Sequence, residues 1–305
     1  MDPTLDAAIV CAALEVIPAA PRDLSDLLSS VASVPDILQV QAHDSHRSAS
    51  LRRYLAQEVE AERINEWQRR IRALQSKYHD FDFVTLADSR YPRAVSQAYD
   101  RPPILFFRGK LPVGVATAVV GSRRASPEVL EFASAVSRTL VSANQVVVSG
   151  LARGVDSIAH EECLLAGGTT LAVLGHAVDA DIYPPENAAL AARIVRRGAI
   201  VSQFKLGAPP TSSSFIQRNS VISAFAAVSV VLTADEKSGS RTELDSALAQ
   251  GRRVVIPALL ARTNSWLRSL AASDSRIDIV DSPVDVLAVV DRTQPGLQDQ
   301  EGVEN

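Results

Sequence analysis

The sequence predicts an α/β protein, a doubly wound parallel sheet preceded by a small N-terminal helical domain. Between residues 115 and 257, six short apolar runs alternate with six helical patterns, the spacing of parallel strands joined by crossover helices. Aromatic residues make up only 5% of the chain while Ala, Val and Leu dominate, which suits helices packed on a buried parallel sheet. Glycine-bearing turns close the first two runs, Gly121-Ser122-Arg123 and Ser149-Gly150-Leu151-Ala152-Arg153-Gly154-Val155-Asp156. Loops at the carboxyl ends of parallel strands are where doubly wound proteins hold phosphate.

Residues 1–78 read as helical, with an apolar stretch over 7–16, an amphipathic one over 23–31 and a longer charge-rich pattern over 51–74. The last suits a solvated helix face laced with i,i+4 pairs. Residues 79–112 add two strand patterns, 81–86 and 104–109, with Pro102-Pro103 and Gly109 as boundaries. Strand one of the core covers 115–120. Ser126-Pro127 supplies the N-cap and first turn of the next helix, with Glu128 and Glu131 at its positive end. Strand two, 146–148, leads through the second glycine loop into a helix ending near Gly167-Gly168.

Strand three covers 170–174, and a long loop over 175–186 precedes a helix over 187–197 that Gly198 can cap. Strand four covers 199–202. Residues 205–219 are too long and too rich in Gly, Pro and Ser for a plain connector and read as a loop. A short helix over 221–225 then leads to strand five, 228–232. Ser238-Gly239-Ser240 opens a helix running to Gln250-Gly251, and strand six covers 254–256. A helix over 266–272, a strand over 277–280 and a helix over 284–290 follow. The expected organisation is a helical domain over 1–78, the α/β domain over 79–292 and a polar, disordered tail over 293–305.

Cys11 and Cys163 are far apart and lack metal-ligand spacing, which argues against a disulfide framework or a metal site. No apolar run approaches roughly 20 residues without a charge, and the amino terminus lacks the positive flank of a signal peptide. A cytoplasmic protein is expected. The net charge of −4 does not itself favour nucleic acid. Residues 1–112 carry 14 basic and 15 acidic side chains, 113–260 carry 13 and 12, and 261–305 carry 4 and 8. The acidity thus lies in the tail, and a nearly neutral core can still present a basic groove where arginines converge.

Gly121 allows a tight turn after a buried strand, Ser122 adds a hydroxyl, and Arg123 offers a planar fork for two phosphate oxygens. An ordinary βα turn with a solvated arginine is the plain alternative. Neither a GxGxxG fingerprint nor a Walker lysine is present, which argues against NAD chemistry and ATP hydrolysis. In the second loop Gly150 and Gly154 permit close backbone approach, Arg153 supplies charge, and Asp156 is placed to cap the following helix. His160 has no metal-type partner nearby and reads as buried. Lys205, Phe215, Arg218 and Asn219 combine an aromatic ring with cations, which suits a single strand whose bases stack and whose backbone follows charge. Phe215 packed under the loop is the alternative. No nucleophile–base–acid triad is visible.

The ordered set of motifs resembles the DNA-processing protein A family (DprA, also called Smf) over residues 83–291. It comprises Tyr91-Pro92, Pro102-Pro103-Ile104-Leu105-Phe106, Val119-Val120-Gly121-Ser122-Arg123, the stretch from Val147 to Asp156 with Ala159-His160, and Gly168-Thr169. It continues with Ala172-Val173-Leu174-Gly175, Tyr183-Pro184-Pro185-Glu186-Asn187, Phe215 with Arg218-Asn219, and Ser238-Gly239-Ser240. The resemblance implies an extended Rossmann-like fold that binds single-stranded DNA without catalysis or cofactor. Arg123 would then hold a phosphate, and Phe215, Arg218 and Asn219 would line the strand's path. It also implies a homodimer that hands DNA to the recombinase RecA, in transformation or recombination.

The chain departs from the family at Gln203, at Thr233-Ala234, at Ser220, at Ala258, and at Ser240-Arg241-Thr242-Glu243. A form without the family's common C-terminal winged-helix domain is expected. Thr242-Glu243 has some of the look of nucleotide-cleaving phosphoribohydrolases in the wider superfamily, so a nucleotide-binding enzyme is one alternative. A partner-binding scaffold in anti-phage defence is another.

Overall fold

The computed structural model describes residues 2–18, 20–232 and 239–293. Helix α1 (Pro3–Val16) starts at Asp2, whose carboxylate accepts from Thr4 N at 2.9 Å, with Pro3 in its first turn. It is followed by α2 (Pro21–Ser29), α3 (His46–Glu58) and α4 (Ala61–Lys77). The single helix expected over 51–74 is therefore two, parted at Val59-Glu60. Arg52 of α3 is fully buried, bound to the Asp44 carboxylate, to Asp36 O and to Ser30 Oγ. Helix α4 instead lies along α1 and buries Trp67 and Ile71. One straight helix cannot satisfy both sets of contacts.

The strands are β1 (Phe81–Thr85), β2 (Ile104–Gly109), β3 (Ala116–Gly121), β4 (Val146–Ser149), β5 (Thr170–Val173), β6 (Ala199–Ser202), β7 (Val228–Leu232), β8 (Arg253–Pro257) and β9 (Ile277–Val280). They form one sheet in the order β1-β2-β6-β5-β4-β3-β7-β8-β9. From β6 to β9 every neighbouring pair is parallel, while β2 runs antiparallel to both β1 and β6. The doubly wound parallel sheet expected from the sequence is thus present, extended by two strands at one edge. Along β2, Ile104 and Phe106 enter the core that contains α1 and α4, and Leu105 and Phe107 enter the other. That alternation is what a strand covered on both faces requires.

Helices α5 (Arg93–Ser96), α6 (Pro127–Ser142), α7 (Val155–Leu165), α8 (Ala188–Arg197), α9 (Ser212–Phe225), α10 (Gly239–Ala249), α11 (Ala258–Thr263), α12 (Ser265–Ser273) and α13 (Pro283–Thr293) complete the fold. The largest correction concerns residues 205–219. The loop ends at Thr211, and Phe215, Arg218 and Asn219 stand on α9. Thr211 Oγ1 accepts from Ser214 N at 3.0 Å, and Ser214 Oγ accepts from Thr211 N at 2.9 Å. The serine run is therefore a capping box. Helix α9 shows no amphipathic pattern because it buries Ser214, Arg218 and Asn219 at the sheet's end and Val221 to Phe225 in the core. Helix α11 was not expected at all. Among the described residues no helix is long and apolar enough to cross a membrane.

Candidate functional site

The chain winds one way from β3 through β4, β5 and β6, and the other way through β7, β8 and β9. The reversal between β3 and β7 leaves a crevice beyond their carboxyl ends, the place where open α/β sheets bind ligands. A cleft of about 700 Å³ occupies it. Its walls are the loop Gly121 to Arg124, Ala152 and Asp156 at the start of α7, Tyr183, the first turns of α9, and Thr242-Glu243 of α10.

The floor is organised by Arg218. Its Nη1 donates to Gly150 O at 2.5 Å and Val173 O at 2.6 Å, and its Nε donates to Asn219 Oδ1 at 3.1 Å. Asn219 Nδ2 in turn donates to Thr242 Oγ1 at 2.7 Å. The guanidinium thus fastens α9 to the ends of two strands and orients Asn219 toward α10. Burial lowers the basicity of Arg218; Asp156 and Glu243 counter this, while Arg123 adds to it. Burial raises the Asp156 carboxyl, whose Oδ2 accepts from Ala152 N at 3.3 Å and so closes the loop before α7. Burial likewise pushes Glu243 up to about 8, against the pull of Arg218 and of the Ser229 hydroxyl.

The mouth combines cations with apolar side chains. Arg123 and Arg124 are exposed on the β3–α6 loop, where Ser122 Oγ accepts from Arg124 N at 3.0 Å. Phe215, Tyr183 and Ile216 line the same cleft. The Tyr183 and Phe215 ring centroids lie 5.5 Å apart at 40°, and the Arg123 guanidinium sits 5.4 Å above the Phe215 ring. Tyr183 N approaches His176 Nε2 at 3.4 Å, which ties the long loop after β5 back onto itself.

The other residues singled out in the sequence separate by environment. Ser149 Oγ is buried in the sheet and donates to Val119 O at 2.6 Å, so it shapes the strand end. Gly150 lies under the Arg218 guanidinium. Gly154 has φ +75° and lies against the carbonyl of Ser122, where a Cβ would stand 2.4 Å from that oxygen. Arg153 is exposed at the mouth and paired with Glu186, and the hydrogen bond from Arg153 lowers the Glu186 carboxyl. His160 is buried, its Nδ1 2.6 Å from Thr170 Oγ1, and burial drops it to about 3.

Lys205 is exposed and lies outside the cleft wall. Ser238, like Thr233 and Ala234, lies outside the described residues, and Gly239 and Ser240 begin α10. Residues 294–305 of the expected tail also lie outside them. Tyr183, Arg124 and Ile216 join the cleft without having been singled out as site residues. Tyr183 had a signal, as the aromatic of the Tyr-Pro-Pro run in a long loop. Among the described residues, no group of three His, Cys, Asp or Glu side chains could hold a metal ion.

The profile of a family described as DNA recombination-mediator protein A matches residues 82–272. Protein Smf of Escherichia coli is 38% identical over 172 residues, covering 55% of this chain and 46% of that protein. The X-ray structure of DNA processing protein A from Streptococcus pneumoniae superposes with a TM-score of 0.67 at 26% identity, covering 92% of this chain and 97% of that one. A structure of DNA processing protein A from Helicobacter pylori, described for its single-stranded DNA binding mode, gives a TM-score of 0.60 at 23% identity, covering 70% and 97%. At that identity the second likeness speaks for the fold alone. The alignments cover 41%, 46% and 64% of three relatives' own length, so the chain spans about half the length of the curated relatives it matches.

Proposed function

The chain belongs to the DNA recombination-mediator protein A family, and from that membership we propose that its cleft binds single-stranded DNA. The observation that carries the reading is the combination of cations and aromatic rings in one cleft. Two exposed arginines, Arg123 and Arg124, share the cleft with Phe215, Tyr183 and Ile216, and Arg123 lies over the Phe215 ring. A single strand offers charge along its backbone and flat apolar faces on its bases, and such a mouth complements both. The Helicobacter pylori protein, which shares the fold, is described for its own single-stranded DNA binding mode.

In this reading Gly121, Ser122 and Arg123 hold a phosphate, Gly154 keeps that loop against α7, and Arg153 adds a second cation. Phe215 supplies a stacking surface. Arg218 and Asn219 hold the floor, with Ser149 and Gly150 shaping it from below. Lys205 would meet only a strand long enough to leave the cleft, and Ser238, Gly239 and Ser240 would add phosphate contacts. The protein acts by binding rather than catalysis in this reading, and family membership is the support for that. The same reading makes it a cytoplasmic homodimer that delivers the strand to a RecA-type recombinase, in transformation or recombination. Family membership is the support for that part.

Fluorescence anisotropy of a labelled dT oligonucleotide across a salt series tests the binding claim. Affinity should fall as salt rises, because each neutralised phosphate releases counterions. An absence of salt-sensitive affinity would contradict it.

A further inference from the structure

Glu243 is anomalous in the cleft. It is 1% exposed, yet it lines the cavity. Its Oε1 accepts from Ser229 Oγ at 3.3 Å, while its Oε2 has no hydrogen-bond partner among the described residues. Buried polar groups are nearly always satisfied, so an orphaned, buried carboxyl oxygen on a residue that lines a cavity needs a reason.

Among the described residues, no side chain makes a hydrogen bond to Glu243 Oε2. Helix α10 packs on α9, β7, β8 and β3. Of these, α9 turns Arg218 toward Glu243, but the Arg218 donors Nη1 and Nε are bound to Gly150 O, Val173 O and Asn219 Oδ1. Strand β7 offers only the Ser229 hydroxyl. Arg253 of β8 is paired with Asp278, and β3 carries no titratable residue. Asp156 at the start of α7 acts across the cleft and disfavours a charge on Glu243. On α10 itself, Arg241 and Asp245 are paired with each other.

We infer that Glu243 is a ligand-contacting residue: its free carboxyl oxygen meets a hydrogen-bond acceptor of a nucleotide unit seated on the cleft floor, with the phosphate at Arg123 and Arg124. This rests on the nucleic-acid reading of the cleft, although a free nucleotide carries the same chemistry. Near neutral pH the carboxyl holds its proton, since burial pushes it up to about 8. The neutral acid can donate to a ring nitrogen or carbonyl of a base, or to a sugar oxygen. Once ionised, it has no proton to give and repels a polyanion.

The test is anisotropy of a labelled dT oligonucleotide at constant salt from about pH 6.5 to 9.5, for wild type and Glu243→Gln, with far-UV circular dichroism to verify that each is folded. Wild-type affinity should hold at low pH and then weaken by up to about tenfold per pH unit above the carboxyl's pKa, as expected when one proton is needed for binding. Glu243→Gln keeps size and a donor but cannot titrate, so its affinity should be flat. A purely structural Glu243 would change the profile only where the protein unfolds, which the circular dichroism at each pH reports.

Parallel profiles for the two proteins would overturn the inference and leave DNA binding standing. A second arm titrates AMP and dTMP. A mononucleotide bound with the same pH profile, and no oligonucleotide bound, would keep the Glu243 contact and assign it to a free nucleotide. Neither ligand bound by wild type at any pH would overturn both.

Discussion

The guanidinium of Arg218 lies so close over Gly150 that a Cβ at that position would stand 2.3 Å from Nη1 and 2.4 Å from Cζ. The glycine is needed by a neighbouring side chain, and the loop after β4 takes its shape from that contact. Arg218 cannot swing aside freely, because Nη1 is bound to two strand-end carbonyls.

Gly150→Ala should therefore destabilise the fold by about 1–3 kcal/mol, the range for overpacking a filled interior. Urea denaturation compared with wild type measures it. Unchanged stability would mean that Arg218 relaxes without cost.

Arg153 is held by Glu186 at the cleft mouth, so a phosphate that takes Arg153 must first displace a carboxylate. Glu186→Gln should tighten binding of single-stranded DNA, by roughly two- to fivefold, the scale of an exposed ion pair. Weaker binding in the variant would show that Glu186 positions Arg153 instead of competing for it.

Phe215→Ala removes the ring between Tyr183 and Arg123. Base stacking on an aromatic is worth about 1–3 kcal/mol, so oligonucleotide affinity should drop by at least about fivefold, with the salt slope little changed. A loss that appears only as a flatter salt slope would point to Arg123 having moved, and away from stacking.

Glu243 also couples stability to pH. Its folded pKa is raised above the ordinary glutamate value of 4.5, so between the two values the native state holds a proton that the unfolded chain has released. Stability from this group is fully present below about pH 4.5 and is lost as pH rises through about 8. Wild type should lose stability relative to Glu243→Gln across that window in denaturation at several pH values. A constant difference between the two would contradict the assignment.

Much of this was legible in the chain. The strands announced themselves because buried parallel strands are short apolar runs, and Gly121-Ser122-Arg123 and Gly150 to Asp156 fell at their ends as the winding rule requires. Helix α9 was hidden, because Ser212-Ser213-Ser214 after Pro209-Pro210 has loop composition, and its capping role depends on Thr211 in three dimensions. The break at Val59 was equally invisible, being set by the partners of buried Arg52. The engagement of Arg218 with backbone carbonyls could not be read from sequence, since those carbonyls belong to residues 68 and 45 positions away.

The central claim is that the crevice between β3 and β7 holds the backbone of a single strand. Anisotropy of Arg123→Ala against wild type, on dT, dA and dC oligonucleotides across a salt series, tests it most directly. A phosphate contact carries no base information, so affinity should fall by a similar factor on all three, and the log–log salt slope should shrink by about 0.7. Unchanged affinity, or a loss confined to one base, would contradict it.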